Sequence, residues 1–174
     1  MTASTPSRPV LTRRHILLGA AFGVIGGSAA LSVFTAAGAP SGPAKTFEVN
    51  HTDEEWRHLL SPAAYDVLRN AGTERPYSSP LNDEHRSGTF GCAGCGQALF
   101  SSTTKFDSGT GWPSFWKAMD NAVVEQQDNS VGMSRTEVLC SRCGGHLGHV
   151  FNDGPQPTGL RYCMNGVAMG FRPA

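Results

Sequence analysis

Three patterns of apolar and polar positions divide the chain. From Ile16 to Phe34 no charged residue occurs, and Ala, Gly, Leu and Val dominate. Between residues 52 and 70 the apolar positions fall at helical spacing. Trp56, Leu59 and Leu60 stand at i, i+3 and i+4 and form one face. Thr52 precedes them with Glu55 three residues on, the pattern of a capping box. Ser61-Pro62 reads as the cap and first residue of a second helix, which carries Tyr65 and Leu68 to about Asn70 and stops at Gly72. Trp56 reads as a core anchor. After residue 86 the helical period disappears. The runs Gly88–Cys92, Gln97–Phe100, Val123–Gln127, Met133–Leu139, His149–Phe151, Arg161–Met164 and Val167–Phe171 predict short strands separated by Gly, Pro, Asn and Asp. The pattern is that of a helical pair packed on an antiparallel β domain.

Composition agrees. Of 174 residues, 21 are Gly and 11 are Pro, which favours turns and short strands over long helices. The formal net charge is zero, but it is unevenly spread. Residues 1–39 hold Arg8, Arg13 and Arg14 and no acid; the other 11 basic residues face 14 acidic ones, so the remainder carries −3. Such a body lacks the clustered Lys and Arg of a nucleic-acid binder. With 39% hydrophobic residues it is also not a disordered acidic chain.

The charge-free run has the layout of an export signal: a basic start, an apolar centre, then the small residues Thr35-Ala36-Ala37-Gly38-Ala39. Arg13-Arg14, followed by His15-Ile16-Leu17-Leu18, resembles a bacterial twin-arginine signal, with His15 and Leu18 departing from its commonest forms. The run is also near the length that spans a bilayer, so an uncleaved anchor is the alternative. The expected organisation is a signal over residues 1–39, a Pro- and Gly-containing linker over 40–46 and one domain over 47–174. The expected location is the periplasm or cell envelope, with membrane contact only through the N-terminal segment.

Five cysteines remain to be explained. Cys92-Ala93-Gly94-Cys95-Gly96 and Cys140-Ser141-Arg142-Cys143-Gly144 share the pattern C-x-x-C-G, with 44 residues between the pairs. Each spacing lets two thiolates of one tight turn face one cation, and two such turns give the tetrahedral sulfur site that suits Zn²⁺. A structural zinc ion is the favoured reading. Two disulfides and a redox dithiol are the alternatives; the second lacks the helix start that lowers a reactive thiol's pKa.

The fifth, Cys163, lies in Arg161-Tyr162-Cys163-Met164-Asn165. A lone strand cysteine is commonly a small buried hydrophobe. Its company points to chemistry, because His146 and His149 offer imidazoles that could support a thiolate. Residues 47–171 resemble a B-type methionine sulfoxide reductase, which reduces methionine-R-sulfoxide. The resemblance rests on Gly109-Thr110-Gly111-Trp112-Pro113-Ser114-Phe115, Gly145-His146-Leu147-Gly148-His149-Val150-Phe151, Asp153-Gly154-Pro155, Arg161-Tyr162-Cys163-Met164-Asn165 and the two C-x-x-C-G turns, in the family's order.

The resemblance implies a mainly β fold: two antiparallel sheets in a tent-like or barrel-like zinc domain, with short N-terminal helices. It implies that Cys163 attacks the sulfoxide sulfur and becomes a sulfenic acid. Trp112 and Phe151 would receive the substrate methyl group. His149, Asn165 and His146 would surround the sulfoxide oxygen and deliver its proton, while Asp153 and Arg161 would shape the site. Cys92, Cys95, Cys140 and Cys143 would hold zinc. The substrate would be methionine sulfoxide, free or in proteins. Many members carry a resolving cysteine between the two glycines before the tryptophan, and this chain has Thr110 there. The resemblance therefore implies recycling by an external thiol, either a thioredoxin-like protein or a small thiol; the alternative is a zinc-site cysteine as resolver, at the cost of releasing the metal. A non-catalytic ligand-binding module and a general thiol–disulfide oxidoreductase are the competing functions. The retained Cys163 counts against the first, and the lack of a second redox thiol against the other.

Overall fold

The computed structural model describes residues 46–130 and 132–174. The expected signal over 1–39 lies outside the described residues, as does the linker up to residue 45. Among the described residues no helix is long and apolar enough to cross a membrane.

The predicted helical pair is present as α1 (Asp53–Leu59) and α2 (Pro62–Asn70). Thr52 closes a capping box: its hydroxyl accepts from the Glu55 N–H at 3.2 Å, and the Glu55 carboxylate accepts from the Thr52 N–H at 2.7 Å. Ser61 caps α2 through the Ala64 N–H. Trp56, Leu60, Ala64, Tyr65, Val67 and Leu68 bury the inner face. Leu59 departs from the predicted face and is 60% exposed. It ends α1, and the extended backbone of Leu60 turns that side chain inward instead. Ala71, in a left-handed conformation, ends α2 one residue before the expected Gly72.

Nine strands follow among the described residues. β1 (Gly88–Cys92), β2 (Ala98–Ser101) and β9 (Met169–Pro173) make a three-stranded sheet of order β2-β1-β9. β3 (Lys105–Phe106), β4 (Ser114–Phe115), β5 (Val123–Asp128), β6 (Arg135–Cys140), β7 (His146–Phe151) and β8 (Arg161–Met164) make a second, of order β3-β4-β8-β7-β6-β5. Every pairing is antiparallel. The expectation of a mainly β fold with two antiparallel sheets holds, and the barrel-like part is corrected. Among the described residues both sheets are open, since β2, β9, β3 and β5 each lack a second neighbour. With two residues, β3 is too short to carry the ladder that closure requires.

The core brings side chains of both sheets together. Phe100 of β2 stacks on Phe115 of β4 with ring centroids 4.4 Å apart, and Phe90 of β1 meets Phe115 edge-on at 4.9 Å. Val138, Leu147, Tyr162 and Met164 complete this layer, and α2 packs on β7. Burying Tyr162 and Met164 leaves Cys163, between them, on the opposite face of β8.

Candidate functional site

Directly opposed residues of antiparallel strands share a sheet face. Cys163 pairs with His149 of β7 on one side and with Ser114 of β4 on the other, and His149 pairs with Glu137 of β6. One row across four strands therefore sets Glu137, His149, Cys163 and Ser114 side by side. Gly148 makes the close approach possible: a Cβ there would stand 2.1 Å from the Cys163 carbonyl oxygen.

This row opens into a cavity of about 150 Å³ lined by Thr73, Trp112, Arg135, Gly148, His149, Phe151, Cys163 and Asn165. Five expected site residues thus line one pocket: Trp112, His149, Phe151, Cys163 and Asn165. A larger groove of about 700 Å³ lies against residues 73–81 and contains no thiol or imidazole.

The walls are fixed by hydrogen bonds. The Trp112 indole N–H donates to the Glu74 carbonyl at 3.1 Å, and the Glu74 N–H donates to the Asn165 side-chain oxygen at 3.0 Å. The buried Asn165 amide donates one proton to the Leu147 carbonyl at 3.1 Å, so its second N–H remains for a ligand. Gly111, at φ +93°, precedes the tryptophan; a Cβ there would press on Pro76 and Tyr77 at under 3 Å.

The remaining expected residues stand outside the lining. His146 is buried behind His149, with ring centroids 5.4 Å apart. Its Nδ1 lies 2.6 Å from the Glu137 carboxylate, and its Nε2 has no partner among the described residues. Burial pushes its pKa below 6.5, against the opposing pull of Glu137. Arg161 forks onto exposed Asp153 with two bonds of 2.8 Å and lies over the Phe151 ring at 4.4 Å. Arg161 thus backs a pocket wall, and Asp153 holds Arg161.

Electrostatics act on Cys163 from several sides. Burial pushes the thiol above 9.0; the Thr110 hydroxyl and the Arg161 guanidinium pull it down, and the Asp153 charge pushes it up again. His149 Nε2 lies 2.8 Å from the Asp128 carboxylate, which also accepts from Arg135 at 2.7 Å. Hydrogen bonds from Ser130 and His149 hold Asp128 far below the usual carboxylate range.

A second centre lies at the ends of β1 and β6. The four sulfurs of Cys92, Cys95, Cys140 and Cys143 lie within 4.8 Å of one another, with Cys92–Cys143 at 3.7 Å and Cys95–Cys140 at 3.5 Å. No two are bonded, so the two-disulfide alternative finds no counterpart. A tetrahedral zinc ion at about 2.3 Å from each sulfur would space them by about 3.8 Å. Hydrogen bonds from Cys143 and Cys92 pull the Cys140 thiol down, and bonding to Cys140 pushes Cys92 and Cys143 up. One thiolate is tolerated and further ones repel; a divalent cation would remove that conflict. These residues could hold a metal ion.

Residues 60–173 match the SelR domain. The chain belongs to the SelR domain family. It is 54% identical over 127 residues to a peptide methionine sulfoxide reductase MsrB of Leptospira interrogans, covering 72% of this chain and 97% of that protein. Proteins of the same name from Bradyrhizobium diazoefficiens and Thiobacillus denitrificans are 55% and 57% identical, over 77% and 70% of this chain and 99% and 93% of their own lengths.

In this SelR domain, the motif residues are the ones sequence reasoning finds. It misses Glu74, Asp128 and Glu137, which touch them, and Arg135, which lines the pocket and bonds Asp128. The one available signal is that Arg135 and Glu137 alternate along a strand, and alternating charge also describes an ordinary solvated face.

Proposed function

We propose that this SelR domain is a peptide-methionine (R)-S-oxide reductase with Cys163 as nucleophile. The observation that carries the reading is the pocket in which His149, Asn165 and Trp112 converge on a half-buried Cys163. Its relatives' name gives independent support for methionine sulfoxide as the substrate.

The pocket supports a stepwise account. The substrate methyl group rests against Trp112 and Phe151, which offer an apolar wall. The sulfoxide oxygen faces the free N–H of Asn165 and the His149 imidazole. Sulfur–sulfur bond formation by Cys163 makes that oxygen basic, and a proton delivered from the His149 side stabilises it. Transfer of the oxygen to Cys163 leaves methionine and a Cys163 sulfenic acid. An external thiol then attacks the sulfenic sulfur, releasing water and forming a mixed disulfide, and a second thiol frees Cys163. An external thiol is needed because position 110 is threonine and the other cysteines form the four-sulfur cluster. That cluster is read as a structural zinc site, held by Cys92, Cys95, Cys140 and Cys143 and apart from the reaction.

Dithiothreitol-driven reduction of the two methionine sulfoxide epimers tests this reading. The wild type reduces the R epimer, and Cys163→Ser lowers the rate at least ~10³-fold. Activity surviving that substitution would remove Cys163 from the role. We also propose that residues 1–39 export the protein to the cell envelope by a twin-arginine route. Fractionation of cells expressing Arg13→Lys/Arg14→Lys should find the protein retained in the cytoplasm; unchanged export would exclude that route.

A further inference from the structure

Thr110 occupies the position of a resolving thiol, but it is not an inert replacement. Its Oγ1 lies 3.8 Å from Cys163 Sγ and 2.8 Å from Ser108 Oγ. Ser108 Oγ in turn lies 2.7 Å from Ser114 Oγ. Ser114 is fully buried and donates to the Trp112 carbonyl at 3.1 Å. Three hydroxyls thus link the sulfur of β8 to a backbone acceptor inside the domain.

A hydroxyl has one proton to give and can accept two. The Trp112 carbonyl can only accept, so it fixes the Ser114 proton and leaves Ser114 to accept from Ser108. While Cys163 is a thiol, protons point in sequence from Cys163 to Thr110, Ser108, Ser114 and the carbonyl. When Cys163 ionises, Thr110 turns its proton to the sulfur, and Ser108 remains able to donate to Thr110 or Ser114. Only hydroxyl rotations separate the two arrangements, and every donor is used in each.

We propose that Thr110, oriented by Ser108 and Ser114, presents a switchable hydroxyl donor to the Cys163 sulfur and stabilises its thiolate. Position 110 then serves the attack step rather than the resolution step. The charged or titratable groups around the sulfur are Arg161 on β8, its partner Asp153 after β7, His149 on β7 and Arg135 on β6. Thr110 and Arg161 both oppose the effect of burial on the thiol.

The inference takes Cys163 as the nucleophile, but its test uses no substrate, so the two can fail separately. The measurement is the rate of Cys163 alkylation by iodoacetamide against pH, followed on the Cys163 peptide in zinc-loaded protein. Thr110→Val keeps the shape and removes the donor. Its midpoint is expected about one pH unit above the wild type, the effect of one hydrogen bond to a charged group. Thr110→Ser is expected to restore the wild-type midpoint. Ser108→Ala, which leaves position 110 intact, is expected to shift it upward by less. A wild-type midpoint in Thr110→Val, or a Thr110→Ser midpoint no lower than that of Thr110→Val, overturns the proposal. Should Thr110→Val fail to fold, an unshifted Ser108→Ala midpoint overturns it.

Discussion

Glu74 reaches four residues from one position in the connector between α2 and β1. Its N–H and carbonyl hold Asn165 and Trp112, and its carboxylate accepts from the backbone N–H groups of Gly166 at 2.5 Å and Val167 at 3.0 Å. The carboxylate is the anchor, and the backbone atoms fixed beside it place two pocket walls. Glu74→Ala is therefore expected to lower kcat/KM for methionine-R-sulfoxide about tenfold, the equivalent of one charge-assisted hydrogen bond. The alkylation midpoint of Cys163 should stay in place, since Glu74 does not face the sulfur. An unchanged kcat/KM would show that the walls hold without the carboxylate. Single residues also mark where the sequence was readable. His149 and Trp112 sit in motifs dense with Gly and aromatic residues, and Cys163 sits between Arg161 and Asn165; such motifs have a recognisable chemistry. Glu74 sits in a polar connector and works through partners 38 to 93 positions away, separations that no local pattern records.

At the scale of elements, legibility followed the strength of the local signal. α1 and α2 were readable because caps and apolar spacing agree over several residues. β1, β5, β6, β8 and β9 were readable to within a few residues from alternation and turn residues. β3 and β4 were not, because two residues carry no period. The first half of β7 is illegible for a different reason: His146-Leu147-Gly148 breaks the alternation with a glycine that serves a cross-strand approach. These weakly patterned strands build the site. β4 and β7 flank β8, and their registers bring Ser114 and His149 against Cys163. Tertiary packing fixes those registers: Phe115 is held between Phe90 and Phe100, so Ser114, its neighbour, must face the thiol side.

For the whole molecule, the open sheets raise the question of what ties them together. Cys92 ends β1 in the three-stranded sheet, and Cys140 ends β6 in the six-stranded one; Cys95 and Cys143 lie in the turns that follow. The four-sulfur cluster therefore joins both sheets at one end. The Cys163 pocket lies farther along the second sheet and shares no lining residue with the cluster. Removal of a metal ion should thus act on stability before it acts on chemistry. A structural zinc ion contributes on the order of 10 kcal/mol in small zinc domains, and each kcal/mol moves the melting temperature by about 2–4 °C at this size. Chelation, or Cys95→Ser, is expected to lower the melting temperature by at least ~10 °C. At temperatures where the protein remains folded, the R-epimer rate per folded molecule should change little. Calorimetry with a zinc assay gives the first quantity, and activity normalised to folded fraction gives the second. One zinc per chain, four alkylation-resistant thiols and one accessible thiol would fit this division. An unchanged melting temperature after verified metal removal would show that packing alone joins the sheets. A loss of activity in fully folded, metal-free protein would show instead that the cluster reaches the pocket.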